Sequence, residues 1–156
     1  MEMKNIIRNV FIALAVFAAA SCAKDDAVPA EDNLTLTPHN VAGVWELIER
    51  NGSPLGEGTY AYLELTWQDR KFFSYDKFDS FHTVSKTGVY DIYEDENAIN
   101  GIFDNSYYET WEHKYVVTSL TSTRMAWTAA DDASITRVYA RIDALPEGIA
   151  SAATAE

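Results

Sequence analysis

The chain has 156 residues, a net charge of -12 and a 13% aromatic share rich in tyrosine. So acidic a surface, with no basic cluster to relieve it, repels phosphate backbones and excludes nucleic acid as a partner. One cysteine excludes an internal disulfide, and once the leader and polar ends are set aside roughly 100 residues remain to fold, one domain with a modest core.

The first segment carries Lys4 and Arg8, then the apolar run Val10 to Phe17, then Ala18, Ala19, Ala20 and Ser21. It reads as a secretory leader over 1–21, too short to span a bilayer as a permanent helix. The lone Cys22 follows directly. Ala19-Ala20-Ser21-Cys22 resembles the bacterial lipobox, with Ala19 where leucine is more usual. The resemblance implies cleavage before Cys22 and acylation of its thiol, giving membrane attachment through an N-terminal lipid anchor. The next residues, Ala23-Lys24-Asp25-Asp26, resemble the lysine-plus-acidic export signal of surface lipoproteins in the Bacteroidetes. That implies a cell-envelope protein of the outer membrane, with a place open to it on the outward face. Residues 22–40 hold Asp25, Asp26, Pro29, Glu31, Asp32 and Pro38 with little apolar content, and read as a solvated tether.

From Val41 onward, short alternating, β-branched and aromatic runs are separated by turn residues every ten or so positions, and no helical stripe interrupts them. The predicted runs are Gly43 to Glu49, Tyr60 to Trp67, Lys71 to Tyr75, Gly88 to Tyr93, Ala98 to Phe103, Glu109 to Leu120, Ser122 to Thr128 and Ser134 to Ile142. Asn51-Gly52-Ser53-Pro54 is a strong turn cluster, and Glu94 to Asn97 and Asp104-Asn105-Ser106 are weaker ones. Residues 76–86 are less regular, with Phe78 and Phe81 placed to form a short strand or cover one end. Pro146, Gly148 and the Ala/Ser-rich end make 146–156 a tail. Eight or nine consecutive strands with short connections predict an all-β, antiparallel up-and-down barrel of about eight strands over 41–145, closed so that no edge is left exposed. A sandwich is the competing architecture, because strand spacing does not separate the two.

Gly43-Val44-Trp45 opens the first run, and Arg137 and Arg141 lie on the last. The pattern resembles lipocalins and their relatives, where Gly-x-Trp starts the barrel and a last-strand arginine lies across the indole. The resemblance makes Gly43, Trp45 and Arg141 barrel-closing structural residues. Together with the strands Tyr115 to Leu120 and Met125-Ala126-Trp127, the ends are similar to the lipocalin-like domains of Bacteroidetes lipoproteins. Thr136-Arg137-Val138-Tyr139 also resembles the end of intracellular fatty-acid and retinoid carriers, whose Arg-x-Tyr grips a ligand carboxylate. Residues two apart share a strand face, so both heads can meet one anion if that face is the inner one. Arg124 is a candidate second cation at the mouth, and Tyr115 and Trp127 are candidate wall residues.

Strict alternation puts Leu47 beside Trp45, and Ala61, Leu63, Leu65 and Trp67 on one inner face, with Val117 and Met125 added from later strands. His39, His82 and His113 lack any ligand spacing, so no metal is expected. No cofactor and no enzyme activity are expected either: the cysteine is committed to the lipid, and no Gly-x-Ser-x-Gly elbow or phosphate loop exists. The leading expectation is a binding protein for a small hydrophobic or amphipathic ligand. Its rival is an envelope accessory module with a filled core.

Overall fold

A computed structural model describes residues 32–78, 81–104 and 109–155, the last four of these by backbone alone. The expected leader, Cys22 and the first part of the tether lie outside the described residues, as do Asn105 and Ser106 of the predicted turn.

The fold begins earlier than the Val41 boundary expected from the sequence. The Leu34 N–H donates to the Leu120 carbonyl at 2.7 Å, and Leu36 is buried. Of the two leucines in this polar stretch, Leu36 is buried with the core and Leu34 stays exposed. One helical turn follows, α1 (Pro38–Val41), capped by the Thr37 hydroxyl, which accepts from the Asn40 N–H, and started by a proline whose missing N–H costs nothing there.

The strands are β1 (Gly43–Arg50), the two-residue β2 (Ser53–Pro54), β3 (Tyr60–Leu65), β4 (Lys71–Lys77), β5 (Thr83–Tyr93), β6 (Ala98–Phe103), β7 (Tyr115–Leu120), β8 (Arg124–Ala129) and β9 (Thr136–Ile142). Eight of them run β5-β4-β3-β1-β9-β8-β7-β6, every neighbour antiparallel, and pairing of β5 with β6 closes the ring. The barrel, not the sandwich, is therefore the architecture. Asn51 and Gly52 both take positive φ, 52° and 76°, and turn β1 into β2, the primed hairpin geometry that Asn-Gly favours. The tail expected over 146–156 carries a short helix, α2 (Ile149–Ala152), and a strand, β10 (Ala153–Ala155), that pairs in parallel with Thr83 to Ser85.

Three strand readings change. β5 is eleven residues long and starts at Thr83, five residues before the predicted Gly88, because Thr83-Val84-Ser85-Lys86-Thr87 pairs with β4 although its side chains do not alternate cleanly. β7 starts at Tyr115; residues 109–114 form a loop held to β6 by the Trp111 N–H on the Gly101 carbonyl at 2.8 Å. Trp67, expected inside, is 52% exposed and meets the His39 ring edge-on at 4.8 Å, since β3 ends at Leu65 and alternation ends with it.

Trp45, Arg141 and Gly43 meet at one end of the barrel. The Trp45 indole is fully buried, its N–H donates to the Val41 carbonyl at 2.8 Å, and the Arg141 guanidinium lies 4.1 Å above its ring. Arg141 also donates to the carbonyls of Ala42 and Asn40. Gly43, at φ 138°, leaves the space Arg141 occupies: a Cβ there would collide with the guanidinium. Leu65, Phe72, Tyr90, Ile99 and Met125, each at 2% exposure or less, fill the interior above this plug.

Candidate functional site

The interior is filled only part of the way. In its other half, toward the turns that follow β1, β4, β6 and β8, lies a half-open cavity of about 410 Å³, within the usual range of roughly 300–1,000 Å³ for small-ligand sites. Leu47 and Arg50 of β1, Ala61 and Leu63 of β3, Ser74 and Asp76 of β4, Lys86 of β5, Phe103 of β6, Tyr115 of β7, Trp127 of β8, and Arg137 and Tyr139 of β9 line it. Phe78 and the loop residues Thr110, Trp111 and Glu112 complete the rim and one wall.

The floor is a cluster of rings. Tyr115 and Trp127 stack at 5.0 Å, Tyr139 meets Trp127 edge-on at 4.9 Å, and Trp111 packs 5.8 Å from Trp127 and 5.2 Å from Phe72. Each such pair adds about 0.5–1.5 kcal/mol beyond its buried area. Trp111 reaches the interior because its neighbour on β6 is Gly101, where a Cβ would overlap the indole.

Register decides which polar groups face this space. Arg137 pairs with Trp127 on one side and with Arg50 on the other, and Tyr139 pairs with Met125 and Leu47, so both β9 residues face inward. The Arg137 guanidinium shares this space with the Tyr139 phenol and lies 5.0 Å from the centre of the Tyr115 ring. Arg50 arrives by a different route. A bulge between Leu47 and Glu49 breaks the alternation of β1, so that Leu47 and Arg50, three residues apart, line the same cavity. Its guanidinium rests 4.8 Å from the Phe78 ring. Across the barrel, Asp76 and Lys86 enter from β4 and β5.

Burial dominates the electrostatics. It pushes the Tyr139 phenol up, and pushes Tyr115 up to about 12, so both are neutral donors and acceptors at ordinary pH. Burial also works against the Arg137 charge, but the phenols of Tyr139 and Tyr115 and the longer-range pull of Glu112 outweigh it, and the guanidinium stays protonated. Among the described residues no carboxylate comes within ion-pair distance of Arg137 or Arg50. Beside the cavity two buried polar atoms have no hydrogen-bond partner among the described residues: Tyr115 Oη, and Trp127 Nε1, which lies near the Tyr139 phenol but outside hydrogen-bonding geometry.

The structure thus brings together four of the five candidates for ligand contact, Arg137, Tyr139, Tyr115 and Trp127. Arg124 is not among them. It begins β8 at the closed end, exposed, beside the β7–β8 turn, because β8 runs from that end toward the mouth. Val117 and Met125 are buried but do not line the cavity.

No family model and no curated protein matches the chain. A solved structure does, described as the NMR structure of the protein from Bacteroides uniformis ATCC 8492. It is 22% identical, with 72% of this chain and 97% of that one covered and a TM-score of 0.52. The shared feature is the fold.

Sequence reasoning missed Arg50, Asp76, Lys86 and Glu112. A polar residue in an amphipathic strand reads as solvent-facing by default, and only register against Leu63 and Gly88 on the flanking strands turns Ser74, Asp76 and Lys86 inward. The Arg50 position had no signal, since a bulge leaves no fixed mark on side-chain pattern. The three histidines lie apart: His39 in α1, His82 before β5, and His113 in the loop before β7, where its Nδ1 pairs with Asp131 at 2.8 Å.

Proposed function

We propose that this chain is a non-enzymatic binding protein of the lipocalin-like kind, which holds a small amphipathic organic anion in the mouth half of the barrel. The observation that carries the reading is the Arg137 guanidinium, which lines the cavity beside the Tyr115 ring with no carboxylate in ion-pair range among the described residues. A half-buried cation without a counter-ion at the wall of a cavity suits an anionic guest, which would supply the missing charge. Arg50 adds a second cation at the rim, against an exterior that is strongly acidic overall. Acylation at Cys22 and retention in the outer membrane belong to the same proposal, supported by the small residues before that cysteine and the Lys24-Asp25-Asp26 run after it.

Native mass spectrometry of the protein purified from its source membrane, with extraction of any bound lipid or organic acid, tests the proposal. An acidic guest in the wild type that is lost in a folded Arg137→Gln variant is the expected result. No guest and no uptake of organic acids by either form would overturn it. The rival reading, an envelope accessory module, is favoured by the filled lower half of the barrel and by the facing pair Val89 and Ile102, 41% and 38% exposed on the outer surface. Capture of a protein partner that is lost on Val89→Lys, with no small-molecule binding, is the outcome that selects it.

A further inference from the structure

We propose that the guest is a compact, ring-bearing carboxylic acid and not an extended acyl chain. This deepens the anion-binding reading and rests on it.

The first argument is depth. On β9 the cavity spans only Arg137 to Tyr139, on β3 only Ala61 to Leu63, and on β1 only Arg50 to Leu47. At a rise of about 3.4 Å per residue, those spans amount to roughly 7–10 Å along the strands. Below them Trp45, Leu65, Phe72, Tyr90 and Met125 are packed to 2% exposure or less, so the cavity has no downward continuation for a tail. A volume of about 410 Å³ in so shallow a space makes a bowl, wide across the barrel and short along it.

The second argument is the chemistry of the wall. A carrier of acyl chains needs one charged end and an apolar channel behind it. Here polar and charged heads enter from opposite sides: Arg137 and Arg50 on β9 and β1, and Ser74, Asp76 and Lys86 on β4 and β5. Asp76 and Tyr139 line the same cavity from strands that are not neighbours in the ring, so both sides of the bowl carry polar heads. Methylenes laid against these polar and charged heads would find no apolar channel there. Much of the apolar area that remains is supplied by aromatic rings, Trp111 and Trp127 among them. A flat guest matches both: its faces stack on the rings, its carboxylate reaches Arg137, and polar substituents on its edge meet the β4–β5 side.

The test uses the full chain in detergent, with protein-free micelles as the blank, and follows quenching of tryptophan fluorescence, because Trp111 and Trp127 line the bowl. The probes are 2-naphthoate, its neutral amide 2-naphthamide, and palmitate. Saturable quenching by 2-naphthoate is expected, at least ten-fold weaker for the amide and for Arg137→Gln, with no displacement by palmitate. Should Arg137→Gln fail to fold, the acid-against-amide comparison still reads the charge requirement on the native protein. Palmitate displacing naphthoate, or binding more tightly in an Arg137-dependent way, overturns the ring-acid assignment and leaves the anion-binding reading intact. Binding of neither acid, or naphthoate binding indifferent to the amide and to Arg137→Gln, overturns both.

Discussion

Replacing Arg141 by alanine strikes the closed end of the barrel, and its cost follows from what the guanidinium touches. Two charge-assisted hydrogen bonds, to the carbonyls of Ala42 and Asn40, would be lost, each worth about 1.5–3 kcal/mol. The contact with Trp45, at 4.1 Å, adds about 0.5–2 kcal/mol. Against this, removing the side chain also removes the buried Arg141 Nε, which has no partner, and water can reach a half-buried site to satisfy the freed carbonyls. The net expectation is about 3 kcal/mol, a large part of the roughly 5–15 kcal/mol that holds a domain folded. In urea unfolding followed by tryptophan fluorescence, the midpoint should fall by about 1–2 M with the slope unchanged. Arg141→Lys keeps the charge but not the forked donors, so it should recover less than half of the loss. A stability within about 1 kcal/mol of wild type for Arg141→Ala would refute the claim that this residue ties the entering segment to the last strand.

Tyr115→Phe removes a buried hydroxyl with no hydrogen-bond partner among the described residues, so the unliganded barrel should be unchanged or more stable by up to about 1 kcal/mol in thermal unfolding, and a loss above that would mean the hydroxyl has a partner. Gly101→Ala puts a methyl into the Trp111 indole and should cost about 1–3 kcal/mol and weaken probe binding, measured in the same melts and by fluorescence quenching; an unaltered affinity would count against Trp111 as a wall. Tyr90 and Tyr115 are both held up to about 12 by burial, so the folded state keeps protons that the unfolded state releases near 10. Their contribution to stability should be intact below pH 10 and decline as pH rises from 10 to 12, which absorbance titration of the phenols against circular dichroism will follow; two phenols ionising at their ordinary value in a still-folded chain would contradict it.

Much of the fold is legible in residue pattern because closing a barrel is a repetitive act. The strand order, the turn at Asn51-Gly52 and the Gly-x-Trp opening of β1 each carry local physical signals, and the structure puts β1, the turn and the barrel there. The readings that failed did so where a strand's end was the deciding fact. Trp67 continues the right alternation one step past the last hydrogen-bonded residue, and Arg124 has the right charge at the wrong end of β8.

What the sequence by itself determined is the all-β domain and the placing of Arg137 and Tyr139 on one strand face, because turn chemistry, side-chain size and two-residue periodicity act over a few positions; that this face is the inner one was decided by register. Tertiary structure alone decided that the barrel stops filling halfway, that a bulge lines Arg50 up with Leu47, and that Asp76 and Lys86 face the arginines across the space. Those facts depend on strands far apart in the chain meeting in one register, and a one-residue slip would send every one of these side chains outward.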